Sequence, residues 1–168
     1  MDFKFLSESL TRRFVWLLIA SYVFFFSYIC ILKYLSFDYF DQDLAIHAQI
    51  HWNLLSGKLY NSLLGINFLG NHIHFINFLT APIYAVFPNV CTLLILQSFA
   101  IGLATYPLYL LAKTIIDHRW ALLIAFTYLI YPAVGYLNLY EFHPPAYIPL
   151  IYFFAFYYFK RGNIKNFC

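Results

Sequence analysis

The sequence predicts an all-α integral membrane protein with about four transmembrane helices and further helices lying at the membrane surface in its first external segment. Two features of the composition point to this class. Hydrophobic residues make up 63% of the chain and charged residues 10%, whereas about 25% of the residues of a soluble domain are charged. The apolar residues also form uninterrupted runs, which is typical of a chain surrounded by lipid.

Four of the apolar runs are long enough to cross a bilayer, which takes roughly 20 helical residues. The predicted spans cover residues 14–32, 91–112, 120–137 and 142–159. A fifth run, residues 75–87, has about two-thirds of the spanning length and contains Pro82. We therefore expect residues 75–87 to form an interfacial helix that does not cross the membrane.

The positions of the basic residues favour four spans over five, because Lys and Arg concentrate in cytoplasmic segments. With four spans and a cytoplasmic N-terminus, only Lys33 and Lys58 lie outside. The cytoplasmic set is then Lys4, Arg12, Arg13, Lys113, Arg119, Lys160, Arg161 and Lys165. We predict a multi-pass protein of the cell membrane, with an external segment over residues 34–89 and a short external turn over residues 141–145.

Several other classes are disfavoured. The basic residues form no stripe with interleaved aromatics, so a nucleic-acid partner is not expected. The three cysteines lack the spacing of a metal knuckle or a disulfide framework. The first apolar run exceeds the 7–15 residues of a usual signal-peptide core, so we interpret it as a retained anchor.

The four-span topology places nearly all acidic and imidazole side chains on one side of the membrane. A helix is predicted over residues 43–56, with Asp43, His47 and His51 at successive four-residue steps and thus on one stripe. Two histidines and a carboxylate can bind a divalent cation, with partners from elsewhere in the chain. The alternatives are that Asp43 caps the helix and that the histidines are ordinary interfacial residues.

The turn Glu141-Phe-His143-Pro-Pro joins the third and fourth predicted spans. Its two prolines stop a helix. A carboxylate and an imidazole next to hydrocarbon are costly, which favours a functional role for Glu141 and His143. We expect Asp43, His72, Glu141 and His143 to converge on one cavity at the external leaflet.

The order of these features resembles the GT-C superfamily of membrane glycosyltransferases, which use polyprenyl-phosphate-linked sugars. A closer likeness is to a family of prokaryotic predicted membrane proteins of unknown function. The stretches that carry the resemblance are Asp43–Gln49, Trp52-Asn53, Leu69–His72, Ala81–Pro88, Tyr106–Ala112 and Glu141–Pro144.

The resemblance implies a GT-C-like N-terminal module in which Asp43 acts as the base on the acceptor and Glu141 is a second catalytic carboxylate. It implies binding roles for His47, Gln49, His72 and His143, and a lipid-linked sugar as partner. A divalent cation is the cofactor that this chemistry would use. Asn71 and Pro145 stand where acidic residues are expected, which weakens metal binding and catalysis.

Two alternatives stay open from the sequence. GT-C enzymes carry more spans than this chain, which we therefore expect to be a single polytopic domain, residues 1–168, from a longer protein. The first alternative is that the chain is a non-enzymatic membrane module, such as a transporter part or an assembly subunit working with other membrane subunits. The second is that it is an inactive remnant.

Overall fold

The computed structural model describes residues 7–39 and 42–162. Its first element is a single long helix, α1, over Glu8–Leu35. The Ser7 hydroxyl accepts a hydrogen bond from the Leu10 N–H and caps the helix start. At 28 residues, α1 is about 42 Å long. It therefore extends beyond both ends of the predicted span over residues 14–32.

The segment after α1 contains two short helices and a small hairpin. Helix α2 covers Asp43–Leu54 and α3 covers Ile76–Val86, close to the two predicted surface helices. Between them, strands β1 (Tyr60–Asn61) and β2 (Ile66–Asn67) pair antiparallel, followed by a 3-10 helix over Phe68–Gly70. Gly57 and Gly65 have positive φ angles of 67° and 70°, which glycine adopts without strain.

The remaining helices run back and forth beside α1. They are α4 (Val90–Leu103), α5 (Thr105–Ala112), α6 (His118–Ile130), α7 (Pro132–Tyr140) and α8 (Ile148–Lys160), with a 3-10 helix over Pro144–Tyr147 before α8. Two stretches, Glu8–Leu35 and Val90–Ala112, are long and apolar enough to cross a membrane. The pair α6 and α7 is a third candidate, bent by 43° at Tyr131. The prediction of a largely helical chain with apolar helices of membrane-spanning length is therefore confirmed, and four spans stay a prediction.

Prolines explain the departures from the predicted spans. The third span was expected as one helix over residues 120–137, but Pro132 lacks the N–H that would continue α6, so the chain bends and resumes as α7. The fourth was expected to begin at residue 142, but α8 begins at Ile148. Pro144 and Pro145 confine the residues just before it to a 3-10 turn. With 13 residues, α8 is about 20 Å long.

Helix α1 packs directly on α4, and Gly102 permits the close approach. A Cβ atom at Gly102 would lie 2.8 Å from Cγ2 of Val23. At one end of the bundle, Glu8 pairs with Lys113. At the other end, the Lys33 ammonium donates to the Leu139 carbonyl at 3.0 Å. Lys113, predicted to be cytoplasmic, and Lys33, predicted to be external, thus lie at opposite ends of α1.

This arrangement gives a topology prediction. A reporter fused after Lys113 is expected in the cytoplasm and one fused after Ser62 outside, because the basic residues at the Lys113 end remain cytoplasmic. Paired alkaline phosphatase and green fluorescent protein fusions measure both positions. An external Lys113 fusion would contradict the four-span topology.

Candidate functional site

A polar cavity of about 300 Å³ lies where α2, the loop before α3 and the turn after α7 meet. Side chains that can bind protons, phosphate or hydroxyl groups line much of its wall, and apolar residues line the rest. The lining residues are Asp43, Ile46, His47, Ile50, Leu64, Phe68, Asn71, His72, His74, His143, Pro144 and Pro145. The cavity therefore joins residues from the start of the external segment to residues near the end of the chain.

The Asp43 carboxylate and the His143 imidazole face each other in this cavity. Asp43 Oδ2 lies 3.3 Å from His143 Nε2, and the two side chains are 40% and 26% exposed. His143 Nδ1 lies 3.0 Å from the Phe142 carbonyl oxygen. Since the Phe142 carbonyl and the Asp43 carboxylate both only accept, each contact is a hydrogen bond when the ring nitrogen that faces it carries a hydrogen, and both form together only with a doubly protonated ring.

Asp43 is not the cap of α2, contrary to the alternative considered from the sequence. It is the first helical residue, Gln42 precedes it as the N-cap, and no side-chain hydrogen bond caps the helix from that position. The chain enters the helix one residue earlier than that alternative required. The Asp43 carboxylate consequently faces the cavity.

Glu141 lies behind the cavity and does not line it. The residue is 1% exposed, and its Oε2 accepts a hydrogen bond of 2.8 Å from the Leu44 N–H in the first turn of α2. A carboxylate is favourable there because helix N-termini carry partial positive charge and unpaired N–H groups. Glu141 thus fixes the helix end that presents Asp43.

Replacing Glu141 by leucine is expected to lower the free energy of unfolding by about 2–3 kcal/mol, because a charge-assisted hydrogen bond is lost and the Leu44 N–H stays buried without its acceptor. Thermal unfolding in detergent measures the change. The Glu8→Leu variant is the control, since Glu8 forms an exposed ion pair with Lys113 and its loss should matter much less. Equal effects of the two substitutions would contradict this role of Glu141.

Gln97 in α4 holds the turn that carries Glu141 and His143, although the sequence did not single it out. It is fully buried. Its Nε2 donates to the Glu141 carbonyl at 2.7 Å, and its Oε1 accepts from the His143 N–H at 2.6 Å. The available signal was a lone glutamine within the apolar run 91–112, since polar residues inside a membrane span rarely lack a partner.

The predicted stripe of Asp43, His47 and His51 has two environments. His47 lines the cavity, but His51 is fully buried away from it. His51 Nδ1 donates to the His47 carbonyl at 2.7 Å, and its Nε2 lies 2.7 Å from the Thr80 hydroxyl. With Nδ1 protonated, a neutral ring accepts from Thr80 through Nε2. His51 therefore joins α2 to α3 and does not bind a ligand in the cavity.

His72 and His74 lie on the loop side of the cavity. Their ring centroids are 5.3 Å apart, and the His74 ring is 5.7 Å from that of His47. Burial, with His74 as the next contributor, lowers the pKa of His47 to about 3. Burial also lowers the pKa values of His51 and, with the neighbouring His72, of His74. His47 is thus neutral at physiological pH.

Acid is expected to destabilise this region. Because the pKa of His47 is about 3 in the folded protein and near 6.5 in an unfolded chain, the unfolded chain binds the extra proton. The free energy of unfolding is therefore highest above about pH 6.5, and this effect lowers it by roughly 2 kcal/mol at pH 5. Thermal unfolding against pH measures the change, and His47→Phe is expected to reduce the slope. An unchanged slope in His47→Phe would contradict the assignment.

Gln49, predicted as a binding residue, lies outside the cavity. Its Nε2 donates to the Ser62 hydroxyl at 2.6 Å, and its Oε1 accepts from the Ser62 N–H at 3.1 Å. The side chain therefore anchors the hairpin loop to α2. The structure brings Asp43, His47, His72 and His143 into one cavity and places Glu141 and Gln49 in supporting positions.

The described residues contain no group of three or more histidine, cysteine or acidic side chains arranged to hold a metal ion. Asn71 and Pro145, which stand where the resemblance expects acids, both line the cavity. An amide is a weaker cation ligand than a carboxylate, and proline has no ligating side-chain atom. The donor set in this part of the chain does not fit a cation held by protein side chains alone.

The helices and the polar cavity at one end of the bundle define the chain as a helical membrane protein with a candidate ligand site. The family described as Predicted membrane protein (DUF2079) matches residues 33–168, and the chain belongs to this family. The matched range contains every residue that lines the cavity. Among curated proteins and solved structures, no significant match was found.

Proposed function

We propose that the chain forms the external site of a GT-C-like glycosyltransferase, which transfers a sugar from a polyprenyl-phosphate donor to a hydroxyl-bearing acceptor. The observation that carries the proposal is the pairing of Asp43 with His143 in a cavity at the predicted external end of the bundle. In such a pair, the carboxylate can accept a proton from a reacting hydroxyl group, and the imidazole can interact with a nearby anion.

In the proposed reaction, the acceptor hydroxyl oxygen attacks the anomeric carbon of the sugar. The new carbon–oxygen bond forms as the bond between the anomeric carbon and the phosphate oxygen breaks. Asp43 takes the hydroxyl proton, and the electron pair of the broken bond stays on the polyprenyl phosphate. A base of this kind contributes typically 10²–10⁴-fold to a rate.

His72 and His143 are suited to the phosphate of the donor. Both line the cavity, and an imidazole donates a hydrogen bond to a phosphate oxygen through a ring nitrogen that carries a hydrogen. For His143 that nitrogen is Nε2, because Nδ1 faces the Phe142 carbonyl. His143 lies in the turn that Gln97 holds, which fixes its backbone relative to Asp43. We assign Glu141 a positioning role, because its carboxylate binds the α2 N-terminus and does not line the cavity.

A divalent cation contributes no step to this proposal. The described residues hold no three-ligand cluster, and the two positions where acids were expected are Asn71 and Pro145. The histidines supply the hydrogen-bond donors that the leaving phosphate needs. Transfer by this chain should accordingly persist when divalent cations are chelated.

The test is release of polyprenyl phosphate by the full chain in lipid nanodiscs. The donors are a panel of radiolabelled polyprenyl-phosphate monosaccharides, and a detergent extract of the native membranes supplies acceptors. We expect one donor to lose its sugar to an extract component. Donor binding without turnover, shown by native mass spectrometry, would favour the non-enzymatic module, and no binding of any donor would overturn the proposal.

A further inference from the structure

Among the described residues, three buried polar atoms near the cavity make no hydrogen bond of normal length and angle. They are Nδ1 of His47 and both Nδ2 and Oδ1 of Asn77. His47 is 6% exposed and Asn77 0% exposed, so bulk water does not satisfy them. Buried polar groups in native proteins nearly always have a partner, and an exception indicates a water or a ligand.

The two side chains are neighbours, but only His47 lines the cavity. Asn77, in the first turn of α3, lies in the layer behind it, and a weak hydrogen-bond interaction between the two side chains opposes the decrease in the pKa of His47. A small movement could join Nδ1 to one atom of the Asn77 amide. The other amide atom would still lack a partner, so the pair cannot satisfy itself.

The chemistry of these atoms selects the kind of ligand. The Asn77 amide offers two donor hydrogens and an acceptor oxygen, and the imidazole beside it is uncharged. A phosphate ester accepts hydrogen bonds but has little to donate, so it would leave the Asn77 oxygen unpaired. A hydroxyl group both donates and accepts. The rim of the cavity, with Asp43 and His143, is polar and ionisable, whereas the layer formed by His47 and Asn77 is polar and uncharged.

We propose that His47 and Asn77 form a subsite that recognises hydroxyl groups of the sugar ring, while the rim of the cavity handles the phosphate and the reacting hydroxyl. This inference rests on the proposed transferase function and names the groups that would distinguish one sugar from another. Rotation of the His47 ring about its second side-chain torsion, which has a broad profile, gives a ligand access to the Asn77 layer.

The experiment uses the full chain in nanodiscs and saturation-transfer difference NMR, with methyl glycosides of common hexoses as probes and inorganic phosphate in parallel. At least one glycoside is expected to bind the wild type, and Asn77→Leu is expected to weaken that binding about tenfold or more, which corresponds to the loss of a buried hydrogen bond. Phosphate binding is expected to be the same in both. Absence of glycoside binding to the wild type would overturn the proposal.

A matched variant separates recognition from a structural role. Asn61 is also fully buried, but its amide donates to the Ile46 carbonyl at 3.1 Å and accepts from the Leu64 N–H at 3.0 Å. Asn61→Leu should lower the melting temperature clearly, whereas Asn77→Leu should leave it unchanged or raise it. An equal loss in both variants would show that a structural water satisfies Asn77 and would overturn the proposal.

Failure of the transferase function has a different signature. Asp43→Asn should retain glycoside binding, because Asp43 belongs to the rim. Glycoside binding that depends on Asn77, without transfer from any donor, would leave the subsite valid and refute the reaction. If Asn77→Leu changes the transfer rate for none of the donors, the subsite is refuted and the proposed reaction is retained.

Discussion

Replacing Asp43 by asparagine is expected to reduce sugar transfer by about 10²–10⁴-fold, the usual contribution of a positioned general base. The amide has nearly the same shape and keeps a contact with His143, but it cannot take the acceptor proton. Donor binding should change little, since the carboxylate acts on the acceptor. Initial rates and donor affinity, measured separately in nanodiscs, distinguish these two effects.

The control for this substitution is Asp38→Asn. Asp38 belongs to the same external segment and lies 4.0 Å from Lys33 with 53% of its side chain exposed, but it does not line the cavity. Its substitution should leave the transfer rate close to that of the wild type. A similar decrease in both variants would point to a general loss of acidity on this face rather than to a base at position 43.

Replacing Gln97 by leucine is expected to lower the free energy of unfolding by about 3–5 kcal/mol. The change removes the hydrogen bonds that join Gln97 to the Glu141 carbonyl and the His143 N–H, and the loss of a partner at such a group costs about 1–3 kcal/mol. Thermal and denaturant unfolding in detergent both measure the difference.

Gln49→Leu provides the matched comparison, because Gln49 also makes hydrogen bonds to backbone and side chain, but its partner Ser62 lies in an exposed loop. Water replaces its partners there, so the expected decrease is below about 1 kcal/mol. If the Gln97 and Gln49 variants unfold alike, the turn that carries His143 does not depend on α4.

Two of the candidate residues predicted from the sequence come together in the structure. His143 was singled out because an ionisable group beside hydrocarbon is costly, and Asp43 because it shares a helical stripe with His47 and His51. The structure brings Asp43 and His143 within 3.3 Å of each other. Helix periodicity placed His47 on the same stripe as Asp43, and both line the cavity. The expectation of a helical membrane protein came from apolar run length, which depends on local sequence alone.

The parts that escaped the sequence depend on contacts between distant residues. Glu141 was expected to line the cavity. Its carboxylate instead accepts a hydrogen bond from the N–H of Leu44, 97 residues earlier in the chain. This contact depends on how the chain packs after α7. The polar role of Gln97 has the same origin. Asn77 was not noticed because its unpartnered amide is visible only when its neighbours are known.

The bond between Glu141 and the first turn of α2 also sets an order of events during biosynthesis. Residue 44 leaves the ribosome long before residue 141, so in the predicted topology α2 reaches the external side of the membrane while the Leu44 N–H still lacks its acceptor. The first turn of α2 gains that acceptor only after α6 and α7 have been made. A chain released before that point would keep α2 with an unpaired first turn, and its Asp43 end would be less stable than in the finished fold.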